Sequence, residues 1–247
     1  MAFCVSIYIM RFPRKKIIPA QVFTFCDFIL SFAVLLIFTP EPGTMPANHT
    51  ILCLGDSYTI GESVLPAENF PNQTISLLRK EGYAFEDPEI VAKTGWTTDE
   101  LQDAIDKHSF KDSYDFVTLL TGVNNQYRGR TVEDYRPGFE SLLKQAIQFA
   151  NGKADHVIVL SIPDWGVTPF ARDRDTKQIA LEIDNYNSVN KALAESHKVG
   201  YIDITPASRE AISDRSLIAG DGLHPSAKEY AKWSESLSLL IKSIIKE

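Results

Sequence analysis

The chain predicts an α/β protein: a three-layer α/β/α sandwich around a parallel sheet of about five strands. From residue 49 onward, short apolar runs alternate with longer amphipathic stretches. The runs are apolar almost throughout, as in strands buried on both faces of a parallel sheet, and right-handed crossovers then place helices on both sides. A chain of 247 residues that is 44% hydrophobic is long enough to fill such a core.

"TILCL" (50–54) is the first strand, and Cys53 inside it is a small buried hydrophobe. "FPNQTISLLRKEG" (70–82) puts Ile75, Leu77 and Leu78 on one helical face and stops at Gly82. "EIVAK" (89–93) is a second strand. "TTDELQDAIDKH" (97–108) opens with threonine and acidic residues, which suits a helix N-terminus. "YDFVTLL" (114–120) is the third strand. The stretch 131–152 is expected to be helical after Pro137, with Leu142, Leu143, Ile147 and Phe149 apolar and Gly152 at the stop. "HVIVLSI" (156–162) is the fourth strand, 177–200 a long helix, "YIDIT" (201–205) the fifth strand, and 226–247 a closing helix.

Ahead of this domain (47–247), residues 1–46 form a separate leader or anchor. Arg11, Arg14, Lys15 and Lys16 precede an uninterrupted apolar run of 11 residues, Phe28 to Phe38. That is the length of a signal-peptide core and too short to span a bilayer. Extended to 17–39 the segment has 23 residues but contains Pro19, Gln21 and Asp27. A leader implies an exported or membrane-anchored protein, with membrane association through 17–39. Translation from Met45 implies a cytoplasmic one.

Net charge is −7; without the four basic residues of the leader and its Asp27 and Glu41, 21 basic face 30 acidic side chains. Such a body is a poor polyanion binder, which argues against a nucleic-acid partner. Of three cysteines only Cys53 follows residue 46, so the domain has no internal disulfide; the five histidines show no metal-ligand spacing. His49, His108, His156 and His197 lie at element edges, where solvation or capping accounts for them. Asp164 belongs to a turn after strand four, and "ARDRDTK" (171–177) to a solvated loop.

In open parallel sheets, ligands bind beyond the carboxyl ends of the strands. There the chain places Gly55-Asp56-Ser57, then Thr94-Gly95-Trp96, then "TGVNNQ" (121–126), then "PDWG" (163–166) and finally "GDGLHPS" (220–226). Taken singly, each is turn chemistry. Taken together they assemble a nucleophilic site. His224 can accept the proton of Ser57, and Asp221 can hold the other ring nitrogen. Pro225 restricts His224 to extended backbone and suits the first position of the closing helix. The N–H groups of Ser57 and Gly95 and the amide of Asn124 are donors for an oxyanion. Trp96, Tyr127 and Trp165 follow these motifs and are candidates for a substrate-binding wall.

These blocks resemble the SGNH hydrolases, the GDSL lipase/esterase family: Ser57 in "GDSYT", Gly95 in "KTGWT", Asn124 in "TGVNN" and His224 in "DGLHP" match its four named residues. The resemblance runs from about Thr50 to the end. It implies a flavodoxin-like sandwich, no cofactor, a triad of Ser57, His224 and Asp221, and an oxyanion hole from Ser57, Gly95 and Asn124. Two positions depart from the common pattern: Tyr58 replaces the leucine of G-D-S-L, and Asn125 the aspartate of G-x-N-D. Thr59 stands where the G-x-S-x-G elbow of the α/β-hydrolases needs glycine. The implied activity is hydrolysis of small carboxylic esters through an acyl-enzyme. Without a long exposed apolar lid after residue 46, short acyl groups are expected, including acetylated sugars or lipid esters. Acyl transfer with the same residues, and carbohydrate or lipid binding without turnover, are the alternatives. The base must be neutral, so activity is expected to rise with pH through the ordinary histidine range, about 6.5.

Overall fold

The computed structural model describes residues 48–246, so the leader expected over 1–46, with Cys4, Cys26, the 17–39 segment and Met45, lies outside the described residues. The five apolar runs form β1 (Ile51–Gly55), β2 (Glu89–Ala92), β3 (Phe116–Leu120), β4 (Val157–Leu160) and β5 (Gly200–Ile202). They pair in parallel in the order β2-β1-β3-β4-β5, the flavodoxin-like arrangement. β1, β3 and β4 are buried along their whole length, whereas the edge strands β2 and β5 are only partly so.

Eight α-helices flank or cap the sheet among the described residues: α1 (Ser57–Ile60), α2 (Phe70–Lys80), α3 (Thr98–Ile105), α4 (Val123–Tyr127), α5 (Val132–Phe149), α6 (Thr176–His197), α7 (Thr205–Arg209) and α8 (Ala227–Ile245). α2 packs on α8, while α5 packs on both α3 and α6. Apolar faces and caps account for them. Asn69 caps α2, Thr131 caps α5, Asp175 caps α6 and Ser226 caps α8, each side chain accepting a first-turn N–H. Among the described residues no helix is long and apolar enough to cross a membrane.

Three expectations change. The fifth strand is Gly200–Ile202, shorter than 201–205, because Thr205 already opens α7. α5 starts at Val132, not after Pro137, because the Thr131 cap and the acidic residues Glu133 and Asp134 open it earlier. Tyr135 anchors that start in the core, its hydroxyl lying 2.7 Å from Asn190 Oδ1 and 3.1 Å from the Thr121 carbonyl, with one proton shared between them. Pro137 therefore sits inside the helix, at the cost of one backbone hydrogen bond. α8 begins after its cap Ser226, so Pro225 precedes the helix and does not open it.

Register positions the site. Gly55 lies opposite both Ala92 and Leu120, so β1, β2 and β3 end level and the segments that follow leave from one rim. Gly55 is required there, since a Cβ would stand 2.4 Å from the Leu120 carbonyl oxygen. Cys53 is buried as expected, and burial pushes its thiol up to about 12.

Candidate active site

Ser57 is the first residue of α1. Its neighbour Asp56 caps that helix, Oδ1 accepting the Tyr58 N–H at 3.1 Å. The Ser57 N–H is thus one of the first-turn donors that a helix cannot satisfy internally. Asp56 is wholly buried and its Oδ2 has no partner; burial raises its carboxyl to about 7, against the opposing hydrogen bond from Tyr58. Tyr58, at the leucine position of G-D-S-L, packs edge-on against the His224 ring at 5.7 Å and against Trp233 at 6.4 Å. The larger ring joins His224 to the core between α1 and α8.

His224 is buried on a tightly closed loop. The Ala219 N–H donates to the His224 carbonyl at 2.7 Å, and Gly222 N–H to the Ala219 carbonyl at 3.1 Å. Asp221 Oδ1 accepts the N–H groups of Leu223 and His224, both at 3.0 Å, while Oδ2 lies 2.5 Å from His224 Nδ1. Burial alone would raise the Asp221 carboxyl, but the His224 ring, these two N–H groups and the Ser63 hydroxyl outweigh it and bring it to about 2. With Nδ1 engaged by a carboxylate, Nε2 is the nitrogen available to a reacting group.

Gly95 follows β2 in a left-handed turn at φ +85, and Arg128 Nη2 donates to its carbonyl at 2.7 Å. Asn124, in the first turn of α4, donates through Nδ2 to the Trp96 carbonyl at 3.0 Å. An amide has two such hydrogens, so one donor is left over. Asn125 does structural work: Oδ1 accepts the Thr98 N–H at 3.0 Å and Nδ2 donates to Thr98 Oγ1 at 2.9 Å, bolting α4 to the start of α3.

Ser57, Gly95, Asn124 and His224 line one cavity of about 170 Å³, with Thr94, Val123, Tyr58, Tyr127, Trp165, Phe170 and Leu223 around them. No direct hydrogen bond joins Ser57 Oγ to the His224 ring among the described residues; such contacts commonly tighten only with substrate present. Tyr127, Trp165 and Phe170 pack on one another with ring centres 5.5–6.2 Å apart. Trp165 is fixed by its indole N–H donating to Gln126 Oε1 at 2.8 Å, whereas Tyr127 and Phe170 are 48% and 45% exposed at the mouth.

Trp96 does not join this wall. The Gly95 turn sends its side chain along α3, beside Glu100, Asp103, Ala104 and Lys107. Asp164 does cap its turn, accepting the Gly166 N–H at 2.8 Å, and it is also buried in an ion pair with Arg209 at 2.9 Å. Phe170 and Arg209 carried no sequence signal, because their roles depend on partners far along the chain.

The fold has many relatives of known structure. The lipase/acylhydrolase of Enterococcus faecalis is similar at 22% identity and TM-score 0.60, over 80% of this chain and 95% of that one. A lipolytic protein of the G-D-S-L family from Veillonella parvula is similar at 20% identity and TM-score 0.57, over 78% and 96%. The acetylxylan esterase Axe2 of Geobacillus stearothermophilus is similar at 17% identity and TM-score 0.59, over 80% and 96%. No curated protein sequence matches the chain. The model of the GDSL-like Lipase/Acylhydrolase family matches residues 53–232, nearly the whole domain. The protein therefore belongs to the GDSL-like lipase/acylhydrolase family and is a serine hydrolase of ester bonds.

Proposed function

We propose that the protein hydrolyses small carboxylic esters with short acyl groups, through a Ser57–His224–Asp221 triad and an acyl-enzyme. The observation that carries this is the Asp221–His224 pair, 2.5 Å apart, on the same cavity as a serine at a helix start. Ser57 Oγ attacks the ester carbonyl while His224 Nε2 takes its proton. The oxyanion is met by the N–H groups of Ser57 and Gly95 and the spare N–H of Asn124. Collapse expels the alkoxide, which His224 protonates. Water then gives its proton to His224 and attacks the acyl-serine, releasing the acid and restoring the hydroxyl.

A cavity of about 170 Å³ is below the ~300–1,000 Å³ of pockets for drug-sized ligands, which supports a short acyl chain. Phe170 and Tyr127 offer rings at the mouth for the alcohol side of the ester. Turnover of p-nitrophenyl acetate by the wild type, with Ser57→Ala and His224→Gln each lowering kcat by at least ~10³-fold, is the expected result. Full turnover by Ser57→Ala contradicts the assignment. A panel of acetyl to octanoyl esters and acetylated sugars defines the substrate.

A further inference from the structure

Ser63 holds a left-handed backbone at φ +66, a conformation in which serine is uncommon and glycine or asparagine is at home. Such strain persists only where the surroundings over-determine it. Here the loop after α1 folds back on itself: the N–H groups of Gly61 and Glu62 both donate to the Ser57 carbonyl, at 3.1 and 3.0 Å. The Glu62 carboxylate takes the hydroxyl of Thr94, next to Gly95. Ser63 Oγ then donates to Asp221 Oδ2 at 2.8 Å, across 158 positions of sequence.

Asp221 receives four donors. Three of them, the N–H groups of Leu223 and His224 and the His224 ring, belong to its own loop. The Ser63 hydroxyl comes from the loop that leaves the nucleophile's helix. We propose that Ser63 is a positioning residue: by binding Asp221 Oδ2 it couples the Ser57 loop to the Asp221–His224 loop and sets how strongly the carboxylate holds the imidazole. This rests on the triad proposed above.

The consequences have a definite sign. Without the Ser63 hydroxyl, Oδ2 has a single donor, so its charge concentrates on the His224 N–H and favours the imidazolium. The carboxylate also loses its only tie to the α1 loop, and orientation at Ser57 loosens. Ser63 does not line the substrate cavity, so substrate binding is spared. The other titratable groups around His224 are Tyr58 from α1 and, lining the small cavity behind the ring, Asp164 and Glu229. None of them is altered by a change at 63.

Three variants test the proposal with p-nitrophenyl acetate. Ser63→Ala and Ser63→Gly are expected to lower kcat about 5–20-fold, with KM within twofold. The acid limb of kcat/KM should move upward by ~0.3–0.5 pH unit. Ser63→Gly should melt no lower than the wild type, because glycine takes φ +66 freely, so its loss of kcat is not loss of fold. Ser63→Asn, with an amide donor and tolerance of this backbone, should recover kcat to within about threefold. Unchanged kcat and acid limb in Ser63→Ala and Ser63→Gly, or losses that track melting temperature instead of the donor, overturn the proposal.

An NMR titration of the His224 ring in wild type and Ser63→Ala reads the same coupling without turnover. An upward shift supports it and an unchanged midpoint contradicts it. A wild type that neither turns over ester nor reacts with a fluorophosphonate sinks the hydrolase reading separately, with the titration still deciding the Ser63–Asp221–His224 link.

Discussion

At the scale of residues, the site sets two carboxylates in opposite environments. Asp221 takes four hydrogen bonds and falls to about 2, while Asp56 is buried with one oxygen unpartnered and rises to about 7. In the pH window between the ordinary aspartate value, about 3.9, and about 7, folded Asp56 keeps a proton that the unfolded chain has lost. Its contribution to stability therefore falls as pH rises through that window. Denaturant melts at pH 5 and pH 8 should show the wild type losing on the order of 2–4 kcal/mol more than Asp56→Asn, which keeps the acceptor for Tyr58 N–H but does not titrate. Equal losses in both proteins contradict the assignment. Asp221 acts with the opposite sign: its stabilisation is present above about 4 and is lost as pH falls toward about 2. At Gly95, φ +85 makes a side chain costly although there is open space for one. Gly95→Ala should destabilise by about 1–2 kcal/mol and, by displacing its N–H, lower kcat about 10-fold or more.

At the scale of elements, the site is assembled by short pieces that the sequence signals weakly. α1 and α4 have four and five residues, too few for a periodic pattern, and each carries a residue of the proposed site, Ser57 and Asn124. Asn125 joins α4 to α3 through two buried hydrogen bonds. Asn125→Ala leaves the Thr98 N–H without its partner and should cost about 1–3 kcal/mol by chemical denaturation. The loop after β4 bears Trp165 and Phe170, and the Phe170 N–H ties it to the Asp221–His224 loop by donating to the Gly222 carbonyl at 3.0 Å. Phe170→Ala removes an exposed ring from the mouth. The ratio of kcat/KM for aryl over methyl acetate should then fall severalfold; an unchanged ratio means that Phe170 does not contact the alcohol side of the ester.

The proposed triad could be read from sequence because Ser57 follows a strand in a recognisable turn, and Asp221 and His224 share one short motif three positions apart. Long-range pairing hid the rest. Ser63 looks like any loop serine until Asp221 arrives 158 positions later, and Arg209 gains its meaning from Asp164. Trp96 was the converse case, a ring beside the right motif that a left-handed glycine turns onto α3. Pro137 misled as a helix start, since a threonine cap and a buried tyrosine outweigh one missing hydrogen bond.

At the scale of the molecule, the parallel sheet was readable from apolar runs and its flavodoxin-like character followed from the family resemblance; the observed strand order explains why residues that follow all five strands meet on one rim. The central strands β1, β3 and β4 are fully buried and the edges β2 and β5 are not, so amide exchange should be slowest in the first three. Faster exchange in β1 than in β5 would mean that the rim carrying Ser57 is not the rigid part of the fold. The central claim is that Ser57 is the nucleophile held by that frame. Peptide mapping after fluorophosphonate treatment tests it most directly. The account predicts one adduct, on Ser57, absent from Ser57→Ala and strongly reduced in His224→Gln; a reactive wild type labelled at another residue, or no adduct in an enzyme that turns over esters, contradicts it.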